Sequence, residues 1–319
     1  MTLILRGALL WLACLMFVPQ AFAQSCSGSG ADVNFGTFSS VNPADVTVSG
    51  NINISCSGFA TPYVRACLSL GLPGNSGTWS NRTLPGPSGA TLAWGIYQDP
   101  AFTKPWTSIY DQSAYTNYAD IPLSGGAGNA VLTYYAKVPG NQGVVAGSYS
   151  VIFGNSDTLI SIAGFSSNPP ACTTALTTSG RFSFTVAATV SRDCLVSATN
   201  IDFGQVGTIT TAVNSTGVIT ATCNKGTPYT LSLDAGQGAG ASVNARKLTR
   251  TGGTDILSYA LYSSAARTNI WGDGNGGTST VGGTGTGAAQ TNTIYATLLA
   301  PASVPPGVYV DTVVATVTY

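Results

Sequence analysis

The sequence predicts an all-β protein built from two copies of one sandwich domain. Three observations carry that reading: alternating apolar and polar runs separated by turn residues, an even set of cysteines, and landmarks that recur in the same order in both halves. Val46 to Ser55, Thr216 to Cys223 and Tyr229 to Leu233 alternate, and Gly, Pro, Asn and Ser clusters separate such runs. No stretch shows a sustained helical period with caps. Apolar residues are 44% of the 319, enough for a core in each half, and charged residues only 8%.

Composition also excludes functions. Lys plus Arg is 12 and Asp plus Glu is 12, so there is no basic stripe for nucleic acid. Histidine is absent, which removes Ser-His-Asp and Cys-His nucleophiles. The few Asp residues show no pairing of the kind a glycosidase uses. Neither an enzyme nor a cofactor is expected.

In chain order, residues 1–23 read as a secretory signal peptide. Arg6 is the positive region, Ala8 to Val18 the apolar run, and Ala21-Phe22-Ala23 the cleavage site before Gln24. The run falls short of the roughly 20 residues of a membrane span. Cys14 leaves with this segment, and Cys26, Cys56, Cys67, Cys172, Cys194 and Cys223 remain. In an exported chain these read as disulfides. With no His and no C-x-x-C pair, no metal site is expected.

Cys26 is followed nine residues later by Phe35-Gly36, and Cys194 nine residues later by Phe203-Gly204. Cys56 lies 20 residues past Gly36, and Cys223 lies 19 past Gly204. Tyr97 precedes Trp106 by nine residues, as Tyr262 precedes Trp271. Tyr135-Ala136 precedes Gly147-Ser148-Tyr149 by 12, as Tyr295-Ala296 precedes Gly307-Val308-Tyr309. Arg82 and Arg246 also hold similar places and read as structural. The repeat pairs Cys26 with Cys56 and Cys194 with Cys223, which leaves Cys67 for Cys172. Each bridge would stabilise by roughly 2–4 kcal/mol.

The two halves end differently. In Arg181 to Val190, Phe182, Phe184, Val186, Ala188 and Val190 alternate with smaller or polar residues, as in a strand with one buried face. The second half ends with a strand from Tyr309 to Tyr319 and has no counterpart of Arg181–Val190. On this reading the second sandwich lacks its last strand. It presents an open edge that a partner must fill, with Val313, Ala315, Val317 and Tyr319 on the accepting face.

The Cys-x8-Phe-Gly opening, the second Cys about 20 residues on, the Gly-x-Tyr before the last strand and the terminal aromatic resemble the spore coat U domain. That family includes subunits of archaic, Csu-type chaperone–usher pili, and the resemblance covers the mature chain twice. It implies two immunoglobulin-like sandwiches in tandem, the second lacking its last strand. It also implies a periplasmic chaperone that lends a strand, an outer-membrane usher, and a next subunit that donates its N-terminal extension. Only Gln24-Ser25 precede Cys26, so the mature chain has nothing to donate, which implies the pilus tip. The expected organisation is a head, 24–190, completed in cis by strand 181–190 through Phe182, Phe184 and Val186, and a pilin domain, 191–319. The implied role is a cell-surface tip adhesin for an abiotic or host surface in biofilm formation.

In such a sandwich the first and last strands end at opposite poles, which puts the loop Gly154 to Gly180 at the free pole. Its Leu159, Ile160, Ile162 and Phe165 are the first candidates for surface contact, with an ordinary buried strand as the alternative. Trp79, beside turn residues and without a counterpart, is another. Phe102, Pro105, Trp106 and Ile109 are weaker, because Trp271 matches Trp106. Two other functions stay open. A glycan-binding lectin would use Tyr110, Asp111, Tyr115, Asn117, Tyr118 and Asp120. The other is a structural coat protein without a ligand.

Overall fold

The computed structural model describes residues 23–73, 77–110, 116–154, 156–300 and 302–319. Residues 1–22 of the expected signal peptide 1–23, and Asp111 and Tyr115 of the Tyr-rich stretch, lie outside the described residues.

The first copy contains β1 (Ser25–Gly30), β2 (Val33–Ser39), β3 (Val46–Ser57), β4 (Tyr63–Leu70), β5 (Arg82–Pro85), β6 (Thr91–Tyr97), β7 (Asn117–Pro122), β8 (Gly128–Val138), β9 (Gly147–Phe153), β10 (Thr158–Phe165), β11 (Thr177–Gly180) and β12 (Phe184–Ser191). They form a sheet β1-β3-β8-β6-β5, a sheet β11-β10-β4-β7 and a sheet β2-β12-β9. The second copy contains β13 (Cys194–Ala198), β14 (Val213–Cys223), β15 (Pro228–Leu233), β16 (Arg246–Arg250), β17 (Ile256–Tyr262), β18 (Val281–Thr284), β19 (Ala289–Leu298), β20 (Tyr309–Val310) and β21 (Ala315–Thr318). Its sheets are β13-β14-β19-β17-β16-β20 and β18-β15-β21. The protein is two tandem immunoglobulin-like β-sandwiches, each with its own apolar core.

The repeat is physical as well as sequential. Arg82 is buried and donates to the carbonyls of Gly71 and Trp106, and Trp106 Nε1 donates to Leu68 O at 2.7 Å. Arg246 is buried and donates to Leu233 O, Asp234 O and Trp271 O, and Trp271 Nε1 donates to Leu231 O at 3.1 Å. A buried guanidinium is tolerable only when most of its donors are met, and among the described residues Arg82 Nε is left without a partner where Arg246 Nε has one. Burial lowers the pKa of Arg82 to about 9. Tyr149 Oη donates to Val145 O at 2.6 Å, and Tyr309 Oη to Pro305 O at 2.8 Å, a tyrosine corner in each copy. The Phe-Gly landmark marks an Asx turn, which in the first copy falls at a register shift within β2. Gly36 and Gly204 take φ +70° and +75°, and their N–H groups donate to Asn34 Oδ1 and Asp202 Oδ1. Disulfides join Cys26 to Cys56, Cys67 to Cys172 and Cys194 to Cys223.

Strand β12 lies antiparallel to β9 and parallel to β2. Phe184 faces Phe153, Val186 faces Val151 and Ala188 faces Tyr149. Phe182 stacks on Trp106 at 6.1 Å, and Phe184 on Phe153 at 4.9 Å. Phe182, Phe184, Val186, Ala188 and Val190 are all buried in the first core. The two domains meet at Asn224, which is buried and donates to Ser40 Oγ at 2.7 Å and Val144 O at 3.2 Å.

Two expectations need correction. The segment Gly154–Gly180 is not one loop, because it contains β10 and β11. Tyr309–Tyr319 is not one strand. The chain leaves the first sheet after Val310 and returns in the other sheet as β21, paired with β15.

Phe184→Ala is expected to lower the stability of the first domain by about 3–5 kcal/mol, because it opens a cavity between β9 and β8 that the close-packed rings cannot fill. Urea unfolding followed by hydrogen exchange in 33–39 and 147–153 measures this.

An open groove in the second domain

The place that β12 fills in the first domain is a groove of about 990 Å³ in the second. One wall is the segment 198–206 and the other is 307–313, with Leu257, Tyr259, Ile294 and Leu298 between them. Aligning the two Phe-Gly turns and the two Gly-x-Tyr corners sets Val33, Phe35, Tyr149 and Phe153 against Ile201, Phe203, Tyr309 and Val313. The first four are 1%, 5%, 1% and 0% exposed. Their counterparts are only half-buried. Val308 and Val310 are 67% and 56% exposed.

The backbone differs in the same way. Residues 33–39 form strand β2 because β12 pairs with them. Residues 201–206 have no such neighbour among the described residues and form no strand. β9 runs seven residues and β20 only two. An extended segment without a ladder partner leaves its N–H and C=O groups to water.

The groove is not a copy of the filled site. Gly28 and Gly30 leave room for Phe182 and Phe184, since a Cβ at either would approach within 3.3 Å of a phenylalanine Cβ. Their counterparts on β13 are Val196 and Ala198. Tyr259 stands where the first domain has Trp94, each paired across a strand with its buried arginine. Asp311 stands where the first domain has Val151. Tyr259 Oη donates to Asp311 Oδ2 at 2.7 Å. Burial, then this hydrogen bond, pushes the Tyr259 hydroxyl well above the usual tyrosine pKa, so it stays a donor at neutral pH.

Of the residues expected to accept a strand, Val313 and Ala315 line the groove. Val317 does not; it sits opposite Leu231 in β21 and packs on the second core. Tyr319 is 47% exposed and donates to Asp193 Oδ1 at 3.0 Å. The break at 311–314 carries both away from the opening.

The expected surface contacts are also corrected. Leu159, Ile160 and Ile162 are 7%, 0% and 3% exposed, because β10 lies between β4 and β11. They cannot touch an external surface. Phe165 is half-buried and stacks on Tyr63 at 5.4 Å. Trp79 is half-buried, with the Arg82 guanidinium 5.2 Å from its ring. Trp106 and Ile109 are buried. In the Tyr-rich stretch, Asn117 is buried, whereas Tyr110 and Tyr118 are exposed. Asp120 takes both Arg65 Nε and Nη2, at 2.7 and 2.6 Å, and the same guanidinium lies 4.2 Å from the Tyr118 ring. These groups satisfy one another.

Sequence reasoning missed Ile201, Phe203, Tyr259, Val308 and Asp311. The Phe-Gly repeat could have pointed to Ile201 and Phe203, because β2 contributes Val33 and Phe35 to the same site in the first domain. In the full chain, amides of 201–206 and 308–313 are expected to exchange hydrogen roughly a hundredfold or more faster than those of 33–39 and 147–153. Equal protection would mean that the second groove is closed in solution.

Among known proteins, protein U of Myxococcus xanthus is 32% identical over 108 residues, which is 33% of this chain and 59% of that protein. The crystal structure of the CsuC–CsuE chaperone–tip adhesion subunit pre-assembly complex, from archaic chaperone–usher Csu pili of Acinetobacter baumannii, contains a chain of the same fold. The TM-score is 0.50 at 18% identity, over 93% of this chain and 100% of that one. The CupB6 tip adhesin of Pseudomonas aeruginosa matches with a TM-score of 0.34 and 10% identity, over 93% and 94%. The model of the Spore Coat Protein U domain matches residues 13–153 and again 181–316, so this chain belongs to the Spore Coat Protein U domain family.

Proposed function

We propose that the chain is the tip adhesin of an archaic chaperone–usher pilus. Its first domain, 24–190, is the head, completed in cis by β12. Its second domain, 191–319, is the pilin domain that accepts a strand from the next subunit. The observation that carries this reading is one site in two states: filled by the chain's own strand in the first domain and open in the second. The fold shared with a tip subunit solved beside its chaperone supports it.

The energetics support it as well. Burying Phe182, Phe184 and Val186, with Ala188 and Val190, stabilises by about 5–10 kcal/mol before entropy. That is comparable to the net stability of a whole domain. The second domain therefore needs a strand from elsewhere: from a periplasmic chaperone during export, then from the next subunit at the outer-membrane usher. The chain is exported through the periplasm to the cell surface. There the head holds an abiotic or host surface, and many weak contacts on many pili add up in biofilm formation. The half-buried rings of Trp79 and Phe165 remain its contact residues.

The test is a fusion. The full chain is exported to the periplasm alone, and again with a flexible linker and a copy of Arg181–Val190 after Tyr319. The fused form is expected to accumulate as a cooperative monomer, and the bare chain to aggregate or be degraded unless a chaperone is supplied. Equal recovery of both would refute the donor-strand reading. Cells deleted for the chain are expected to lose surface attachment in a biofilm assay.

A further inference from the structure

The groove carries polar residues on its walls, among them Thr199, Asn200, Asp202, Gln205 and Thr312, and one hydrogen-bonded polar pair, Tyr259 and Asp311. Asp311 Oδ1 accepts the N–H groups of Gln237 at 2.7 Å and Thr312 at 2.8 Å, and Oδ2 accepts Tyr259 Oη at 2.7 Å. An ionised carboxylate has about four acceptor positions. Among the described residues three donors reach it, which leaves one acceptor position on Oδ2.

A strand that enters in the register of β12 covers that position. In the first domain Val186 faces Val151, and both Val186 and Trp94, the counterpart of Tyr259, are buried. In the second domain the same position of an incoming strand faces Asp311, beside Tyr259. A valine there would leave a buried acceptor without a donor, and a hydroxyl or amide would supply one. The cationic Arg246 lies close enough to feel the charge of Asp311, so a neutral donor suffices.

We propose that the second-domain groove selects a strand with a hydrogen-bonding side chain (Thr, Ser or Asn) opposite Asp311 and apolar side chains at the inward positions on either side, and so discriminates against this chain's own β12. The occupant is an extended segment of another polypeptide, antiparallel to 307–313 and parallel to 201–206, the topology β12 has in the first domain. This selectivity rests on the donor-strand reading and adds the chemistry of the partner.

The experiment uses the full chain fused after Tyr319 to a copy of Arg181–Val190, in the native form and with the nearly isosteric Val186→Thr change in the copy. Hydrogen-exchange protection of 201–206 and 308–313 reports how well the groove holds each strand. The Thr form is expected to protect these amides about tenfold more than the Val form. Asp311→Val, which removes the acceptor, is expected to cancel or reverse the preference. Equal protection by Val and Thr in the unaltered domain overturns the selectivity and leaves strand acceptance standing. A Thr preference that survives Asp311→Val also overturns it. Protection by neither strand overturns both.

Discussion

A sandwich without one inner strand leaves two backbone edges unpaired and one side of its core in water, and no rearrangement of side chains can repair both at once. The first domain meets this constraint with β12, which hydrogen-bonds to β9 on one side and β2 on the other while four of its side chains, and Phe182 just before it, enter the core. Where that strand is missing, the walls themselves change. Residues 201–206 lose strand geometry, β20 shrinks, and Phe203 and Tyr309 stand half in solvent. A ladder needs two members, so the neighbour of an absent strand is only partly formed.

What the domains share is what keeps the groove in shape. The Arg–Trp clamp links the first residue of β5 or β16, through Trp106 or Trp271, to β4 or β15 in another sheet, the tyrosine corner holds the approach to β9 or β20, and the Asx–Gly turn fixes the start of the other wall. The disulfides Cys26–Cys56 and Cys194–Cys223 pin the first strand of each copy to its neighbour. None of these contacts involves β12. The walls are thus held apart in advance, which would lower the ordering cost for an entering strand.

The fold was largely legible, because cysteine spacing, Phe-Gly turns and two-residue alternation are local and each half repeats them. Two segments misled for definite reasons. Leu159 to Ile162 is covered on both faces, so its strand is apolar without alternation and reads as a greasy loop between glycine and proline clusters. Tyr309 to Tyr319 keeps its alternation through 311–314, although the chain crosses there from one sheet to the other. Alternation reports which side is buried, not which sheet buries it. Tyr259 and Asp311 were out of reach, since they lie 52 residues apart and become a pair only because β16 sets β17 and β20 on its two sides.

The junction between the domains has a mechanical consequence. β12 ends at Ser191 and β13 begins at Cys194, so only two residues separate the strand that closes the first core from the next sandwich. For a head held at one end and anchored through its second domain, tension enters the head along the axis of β12. Its ladder bonds to β9 and β2 lie across that axis and are loaded in shear, sharing the pull instead of opening one by one like a zipper. The element that completes the first fold is then also its tendon.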